Sequence, residues 1–212
     1  LTTITDPFKG LSRTLPRFEI SEGLASLQVK LPKLENFDPV TMFYSGSSGP
    51  NHPSSIQGIF KDILAWTREP DLLLKLEQYC SLLKGGSEFF NLIFQTSFRD
   101  FDSLNQNLKV YLGRLALKEE AAGKVRVFAI TDCITQSVNK PLHRSIFSLL
   151  KKIPMDGTFD QLAPCRRLVD FYNDGLIEDF YSYDLSAATD RLPIQIQSDI
   201  LSVIFGDQFG QL

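Results

Sequence analysis

Lys118-Glu-Glu-Ala-Ala-Gly-Lys-Val-Arg-Val-Phe-Ala-Ile130 is the stretch in which the hydrophobic period of the chain changes. Val125, Val127 and Ala129 alternate with Arg126, Phe128 and Ile130, the period of two that sends successive side chains to opposite faces of a strand. A strand is therefore expected over Lys124–Ile130. On both sides of it the spacing is helical. Upstream, Ile56, Ile59, Phe60, Ile63 and Leu64 recur at helical intervals until Pro70, and Asp71 can cap a second helix carrying Leu72, Leu76, Tyr79 and Leu83. Gly85-Gly86 ends that helix, a third apolar stretch spans Phe89–Phe94, and a fourth helix is expected from about Leu104 to Leu117. Downstream, Pro141 suits a first helical turn, with Leu142, Ile146, Leu149, Leu150 and Ile153 on the buried side before Pro154. A further helix is expected from about Gln161 to Asn173, and Phe180-Tyr-Ser-Tyr-Asp184 reads as an aromatic-rich strand. Pro193 opens a last helix with Ile196, Ile200 and Ile204, stopped by Gly206.

The order is helices first, then strand–helix–helix–strand–helix: a mixed α/β chain of the α+β kind, rich in helix. Its segments divide at 1–53, where Pro and Gly interrupt short apolar pieces ending in the loop Tyr44-Ser-Gly-Ser-Ser-Gly-Pro-Asn-His-Pro53, then 54–118, 119–179 and 180–212. The chain's hydrophobic share, 43% of 212 residues, is enough to build a core, and no block of like charges marks a disordered arm. Three cysteines without C-x-x-C spacing argue for free thiols in a reducing compartment rather than a disulfide framework or zinc site. No apolar run approaches the roughly 20 residues of a membrane-spanning helix, and residues 1–12 are not a signal peptide. The chain lacks a starting Met and ends without tail-like composition, which reads as a segment of a longer open frame. A formal net charge of −3 means that any nucleic-acid binding must rest on a local basic patch.

Three places could supply chemistry. Alternation puts Lys124 and Arg126 on one face of the strand, about 7 Å apart, where two cations can grip neighbouring phosphates; a solvated basic face is the plain alternative. On the helix after Pro141, the i, i+4, i+11 spacing of Lys140, Arg144 and Lys151 keeps them on one side, with His143 and Lys152 at its margin, and such a basic face suits a phosphate backbone as well as water. In Asp184-Leu-Ser-Ala-Ala-Thr-Asp190 a carboxylate terminates the aromatic strand, and the small residues after Leu185 permit close backbone approach. Asp184 is a hard oxygen ligand of the type magnesium uses, although a lone D-x5-D is common by chance. In Gly157-Thr-Phe-Asp-Gln161, Gly157 can take a positive φ and Thr158 or Asp160 can cap the helix that follows, a structural role.

Taken in order, five strings resemble mitovirus RNA-dependent RNA polymerases, with levivirus replicases as more distant relatives. They are Gly46-Ser-Ser-Gly-Pro-Asn51, Leu115 through Ile130, Pro141-Leu-His143, Ile153-Pro-Met-Asp-Gly-Thr-Phe-Asp-Gln161 and Asp184-Leu-Ser-Ala-Ala-Thr-Asp-Arg-Leu-Pro193. The resemblance implies part of a right-hand polymerase fold, with fingers over 54–179 and the start of the palm at 180–212. It implies that Lys124 and Arg126 contact the phosphates of the incoming ribonucleoside triphosphate, while the expectation that Lys140, Arg144 and Lys151 bind RNA rests on their spacing along one side of the helix. Asp184 would be the first catalytic carboxylate and a ligand of Mg2+ (or Mn2+), and Asp190 would recognise the ribose 2′-hydroxyl. The implied chemistry is two-metal nucleotidyl transfer on an RNA template, in a mitochondrion.

The sequence departs from the family beyond Asp190. Neither the Gly-rich motif nor Gly-Asp-Asp occurs, and the only later Gly-Asp is Gly206-Asp207, followed by Gln208. A single carboxylate cannot hold two metals, so the chain alone is expected not to polymerise RNA and to need a C-terminal palm and thumb portion. Two other readings stand beside the viral fragment: a decayed endogenous copy in a plant or fungal genome, and an unrelated α/β interaction domain.

Overall fold

The computed structural model describes residues 16–40, 47–95, 107–184 and 192–212. Their elements, in chain order, are α1 (Arg17–Ser26), a 3-10 turn (Ile56–Gly58), α2 (Ile59–Thr67), α3 (Pro70–Ser81), α4 (Gly86–Phe94), β1 (Gly113–Glu119), β2 (Val125–Thr131), α5 (Cys133–Val138), α6 (Lys140–Leu150), α7 (Ala163–Asn173), α8 (Ile194–Phe205) and α9 (Asp207–Gln211). The chain is helix-rich, and among the described residues β1 and β2 form a single two-stranded antiparallel sheet. It divides into two compact units, Leu34–Arg144 with Leu212, and Leu1–Lys33 with Ser145–Gln211.

In the Leu34–Arg144 unit, α2 buries Ile63, Leu64 and Trp66, and α3 buries Leu76 and Cys80. Pro70 starts α3 and Glu69 stands at the capping position, so Asp71 lies inside the first turn instead of capping it, and the helix begins two residues earlier than expected. The Gly85-Gly86 pair is needed at the α3–α4 corner. Gly85 sits at φ 86°, and a Cβ on Gly86 would overlap the Cys80 carbonyl oxygen and crowd Leu83. Phe37 closes this corner, its ring 4.7 Å from that of Phe89 and its N–H donating to the Lys84 carbonyl at 3.1 Å.

The expectation of a helix running to Leu117 fails. Gly113–Glu119 is β1, paired with β2 in the register Leu115↔Ala129, Leu117↔Val127 and Lys118↔Arg126. A strand such as β2 leaves backbone N–H and C=O groups that need a partner, and the neighbouring segment supplies one across a short turn. That pairing overrides the helix-favouring Leu, Ala, Lys and Glu of β1. Gly123, at φ 70°, shapes the turn, and the Glu120 N–H donates to the Lys124 carbonyl at 2.8 Å.

In the other unit, α1 docks on α8 and α9 through Arg17, which pairs with Asp199 at 3.5 Å and with Asp207. Gly206, at φ 104°, turns the chain from α8 into α9, and Ser198 Oγ donates to the Gly210 carbonyl at 2.5 Å. Leu162, not Thr158 or Asp160, holds the capping position of α7 and no side chain caps it, although Asp160 accepts the Leu162 N–H at 3.0 Å and pairs with Arg166; Gly157 does not use a positive φ. The expected strand at Phe180–Asp184 is not formed. The segment has no sheet partner among the described residues, Phe180 rests against Tyr172 at 5.3 Å, and Tyr181 and Tyr183 are exposed. Aromatic content alone does not make a strand without a neighbour to pair with.

Candidate functional site

The β1–β2 hairpin gathers the basic residues. Directly paired residues of an antiparallel ladder project to the same face, so Arg114, Ala116 and Lys118 share one side with Ile130, Phe128 and Arg126. Leu115, Leu117 and Glu119 share the other with Ala129, Val127 and Val125. Lys124 precedes β2 in extended backbone, φ −78° and ψ 134°, which continues the alternation onto the basic face. Lys124 and Arg126 thus fall on the same side by alternation, with Lys118 directly across from Arg126, and with Arg114 and an exposed Phe128 on that face. Arg126 Nε donates to Glu120 Oε2 at 2.7 Å. The Arg126 side chain is 72% exposed, so this ion pair is a weak one. Lys118 and Arg114 are hidden in the sequence because their segment favours helix; Gly113 followed by Leu115 and Leu117 is its only sign of period two.

The root of this hairpin is held by a network that sequence reasoning missed. Asn51 Nδ2 donates to the Tyr111 carbonyl at 2.8 Å while its Oδ1 accepts the Tyr111 N–H at 2.9 Å, as a paired strand would. The same Nδ2 donates to Asp62 Oδ1 at 2.6 Å, and Asp62 Oδ2 accepts the Cys133 N–H at 3.2 Å. Asp132 accepts from Trp66 Nε1 at 3.1 Å and from the Ile134 and Thr135 N–H groups at 2.9 Å each, capping α5. Its own N–H donates to the Leu112 carbonyl at 3.2 Å. Asp62 and Asp132 are buried. Burial pushes the Asp62 carboxyl above its ordinary range, against the opposing pull of the Asn51 and Cys133 hydrogen bonds. Burial also raises the Cys133 thiol, with the Asp62 charge adding to the effect, and pushes the Cys80 thiol up to about 12. These thiols are structural.

Helix α6 presents the second basic group. Pro141, Ser145 and Leu149 are buried, while Lys140 and Arg144 are exposed on the helix and Lys151 is exposed just after its end. Leu142, Ile146, Leu150 and Ile153, expected on the buried side, are half-buried. Asp184 is exposed and belongs to the unit containing Ser145–Gln211, whereas Lys124, Arg126, Lys140 and Arg144 belong to the other. Asp190 lies outside the described residues. Among the described residues no group of three or more His, Cys, Asp or Glu side chains could hold a metal ion, and Asp184 offers one exposed carboxylate. No helix among them is long and apolar enough to cross a membrane.

Residues 35–212 match the family described as Mitovirus RNA-dependent RNA polymerase. The chain belongs to that family. It is 32% identical over 218 residues to the RNA-directed RNA polymerase of Cryphonectria parasitica mitovirus 1, an alignment covering 99% of this chain and 26% of the viral protein. It is also 41% identical over 59 residues to an uncharacterized mitochondrial protein of Arabidopsis thaliana, covering 28% of this chain and 22% of that protein. The chain thus spans about a quarter of the length of its viral relative. No solved structure matches it. Family membership removes the reading of an unrelated interaction domain with accidental motifs.

Proposed function

We propose that this chain supplies the fingers and the start of the palm of a mitovirus-type RNA-dependent RNA polymerase, and that the β1–β2 hairpin is where it grips phosphates. The observation that carries the reading is the single basic face made by Arg114, Lys118, Lys124 and Arg126 around Phe128, inside the family-matched region. Guanidinium and ammonium groups spaced along a ribbon suit a triphosphate or a single-stranded backbone, and an aromatic ring among them can stack on a base. Lys140, Arg144 and Lys151 extend the RNA-binding role to α6. Residues 54–179 then act as fingers and 180–212 as the beginning of the palm in a right-hand architecture. Asp184 would provide one hard oxygen ligand to Mg2+ or Mn2+, which when bound stabilises charge on phosphoryl oxygens, and Asp190 would select ribose. RNA template and product and ribonucleoside triphosphates are the implied partners, together with a C-terminal palm and thumb portion carrying the remaining carboxylates. The family name and the plant mitochondrial relative support a mitochondrial location.

A photoreactive ribonucleoside triphosphate tests this reading. Crosslinks are expected within residues 113–131 and should be lost in Lys124→Gln/Arg126→Gln; labelling elsewhere, unaffected by those substitutions, contradicts the assignment. A second reading, a decayed endogenous copy without activity, is favoured by the existence of the Arabidopsis mitochondrial relative. An open frame that continues downstream to Gly-Asp-Asp supports the polymerase, and an early stop codon supports the relic.

A further inference from the structure

We propose that Asn51 and Asp62 are positioning residues for the basic hairpin, a latch that fixes both of its ends and thereby aims Lys118, Lys124 and Arg126 at their phosphate ligand. The inference rests on the phosphate-gripping role given above to that hairpin and adds the residues that make it work.

The two ends of the hairpin meet one side-chain pair. Tyr111, two residues before β1, is held by Asn51 through both its N–H and its carbonyl, at 2.9 and 2.8 Å. Cys133, two residues after β2, is held by Asp62 through its N–H at 3.2 Å. The 2.6 Å bond from Asn51 Nδ2 to Asp62 Oδ1 joins the two grips and fixes which way the Asn51 amide faces, since only its carbonyl oxygen can accept from Tyr111. The pair is carried by scaffold rather than by the hairpin itself. Asp62 is fully buried in α2, and Asn51 lies within a loop closed by the Ser55 N–H to Ser47 carbonyl bond at 2.8 Å and the Gly49 N–H to His52 carbonyl bond at 2.9 Å. Beyond this root both strands are largely exposed, with burial patterns that leave Leu115, Leu117 and Val125 in solvent. An exposed two-stranded ribbon is marginal by itself, so its direction is set by whatever holds its base. Neither latch residue belongs to β1 or β2, and each grips the hairpin through its backbone rather than through the cations.

The test uses the 212-residue chain and a fluorescent single-stranded RNA oligonucleotide, with affinity measured across a salt series. Four proteins are compared: wild type, Asn51→Ala, Lys124→Gln/Arg126→Gln, and the combination. A latch predicts that Asn51→Ala weakens RNA binding by about tenfold, within the range of direct residue couplings, and adds little once the two cations are gone. It also predicts a shallower salt dependence for Asn51→Ala, because each lost phosphate contact removes about 0.7 from the logarithmic slope. A merely structural residue would lower the folded fraction without changing the slope, and its effect would persist in the combination. Unchanged affinity in folded Asn51→Ala, or a fully additive loss, overturns the inference while the phosphate role stands. If Lys124→Gln/Arg126→Gln itself binds RNA as wild type does, the phosphate role fails and the latch with it. Should Asn51→Ala not fold, the nearly isosteric Asp62→Asn, which turns one acceptor into a donor, is read in the same way; unchanged binding in that folded variant overturns the inference.

Discussion

Asp62 is the residue whose environment is most at odds with its charge. It is fully buried, and burial outweighs the hydrogen bonds from Asn51 and Cys133 in raising its pKa. In the window between the ordinary carboxyl value and the raised one, the folded chain keeps a proton that the unfolded chain releases. The stability contributed by that proton is full below the ordinary value and is lost as pH rises through the folded value. Urea midpoints should therefore decline from about pH 4 upward, and Asp62→Asn should flatten that decline; an unchanged slope would show the carboxylate is not the titrating group. Asp160 works in the opposite sense, because its hydrogen bond with Arg166 lowers its pKa and its contribution is lost in acid. Asp132 has a different task, capping α5 while accepting Trp66 Nε1. Asp132→Ala removes the cap and strands a buried indole N–H, a loss of about 2–4 kcal/mol measurable by denaturant unfolding. The network of Asn51, Asp62 and Asp132 was not legible in the sequence. Asn51, Asp62 and Asp132 are separated by 11 and 70 residues or more, and polar residues in a helix or loop carry no mark of burial until the fold brings them together.

At the scale of elements, β2 was legible because Val125, Val127 and Ala129 keep strict alternation, and α6 because Pro141 and the apolar spacing agree. Strand β1 was not, since Leu115-Ala-Leu-Lys-Glu119 favours helix and becomes a strand only by pairing with β2. Phe180–Asp184 shows the converse: strand-favouring residues that find no partner among the described residues, form no strand and stay exposed. Local propensity reads each segment alone, whereas a ladder is a property of two. The turn that joins β1 and β2 depends on Gly123 at φ 70°, with open space around its Cα, so a side chain there would meet backbone strain and no clash. Gly123→Ala should weaken the hairpin by about 1–2 kcal/mol, seen as faster amide exchange across residues 113–131 with α2 and α3 unaffected. Uniform exchange rates between the two proteins would contradict that turn geometry.

At the scale of the whole molecule, the chain is about a quarter of its viral relative, and the carboxylates expected beyond Asp190 are not among its residues. The isolated 212-residue chain is predicted to bind RNA and not to polymerise it; Mg2+-dependent, template-directed incorporation that disappears in Asp184→Ala would contradict this. The net charge of −3 gave no hint of a binding surface, because strand alternation gathers Arg114, Lys118 and Arg126 on one face, where Glu120 is the acidic neighbour paired with Arg126. The most direct measurement of that central claim is the affinity of the chain for single-stranded RNA as a function of salt, with and without Lys124→Gln/Arg126→Gln. Steep salt dependence in wild type, with a slope made shallower by roughly 1.4 when both cations are neutralised, is the predicted result. Superimposable curves would contradict it.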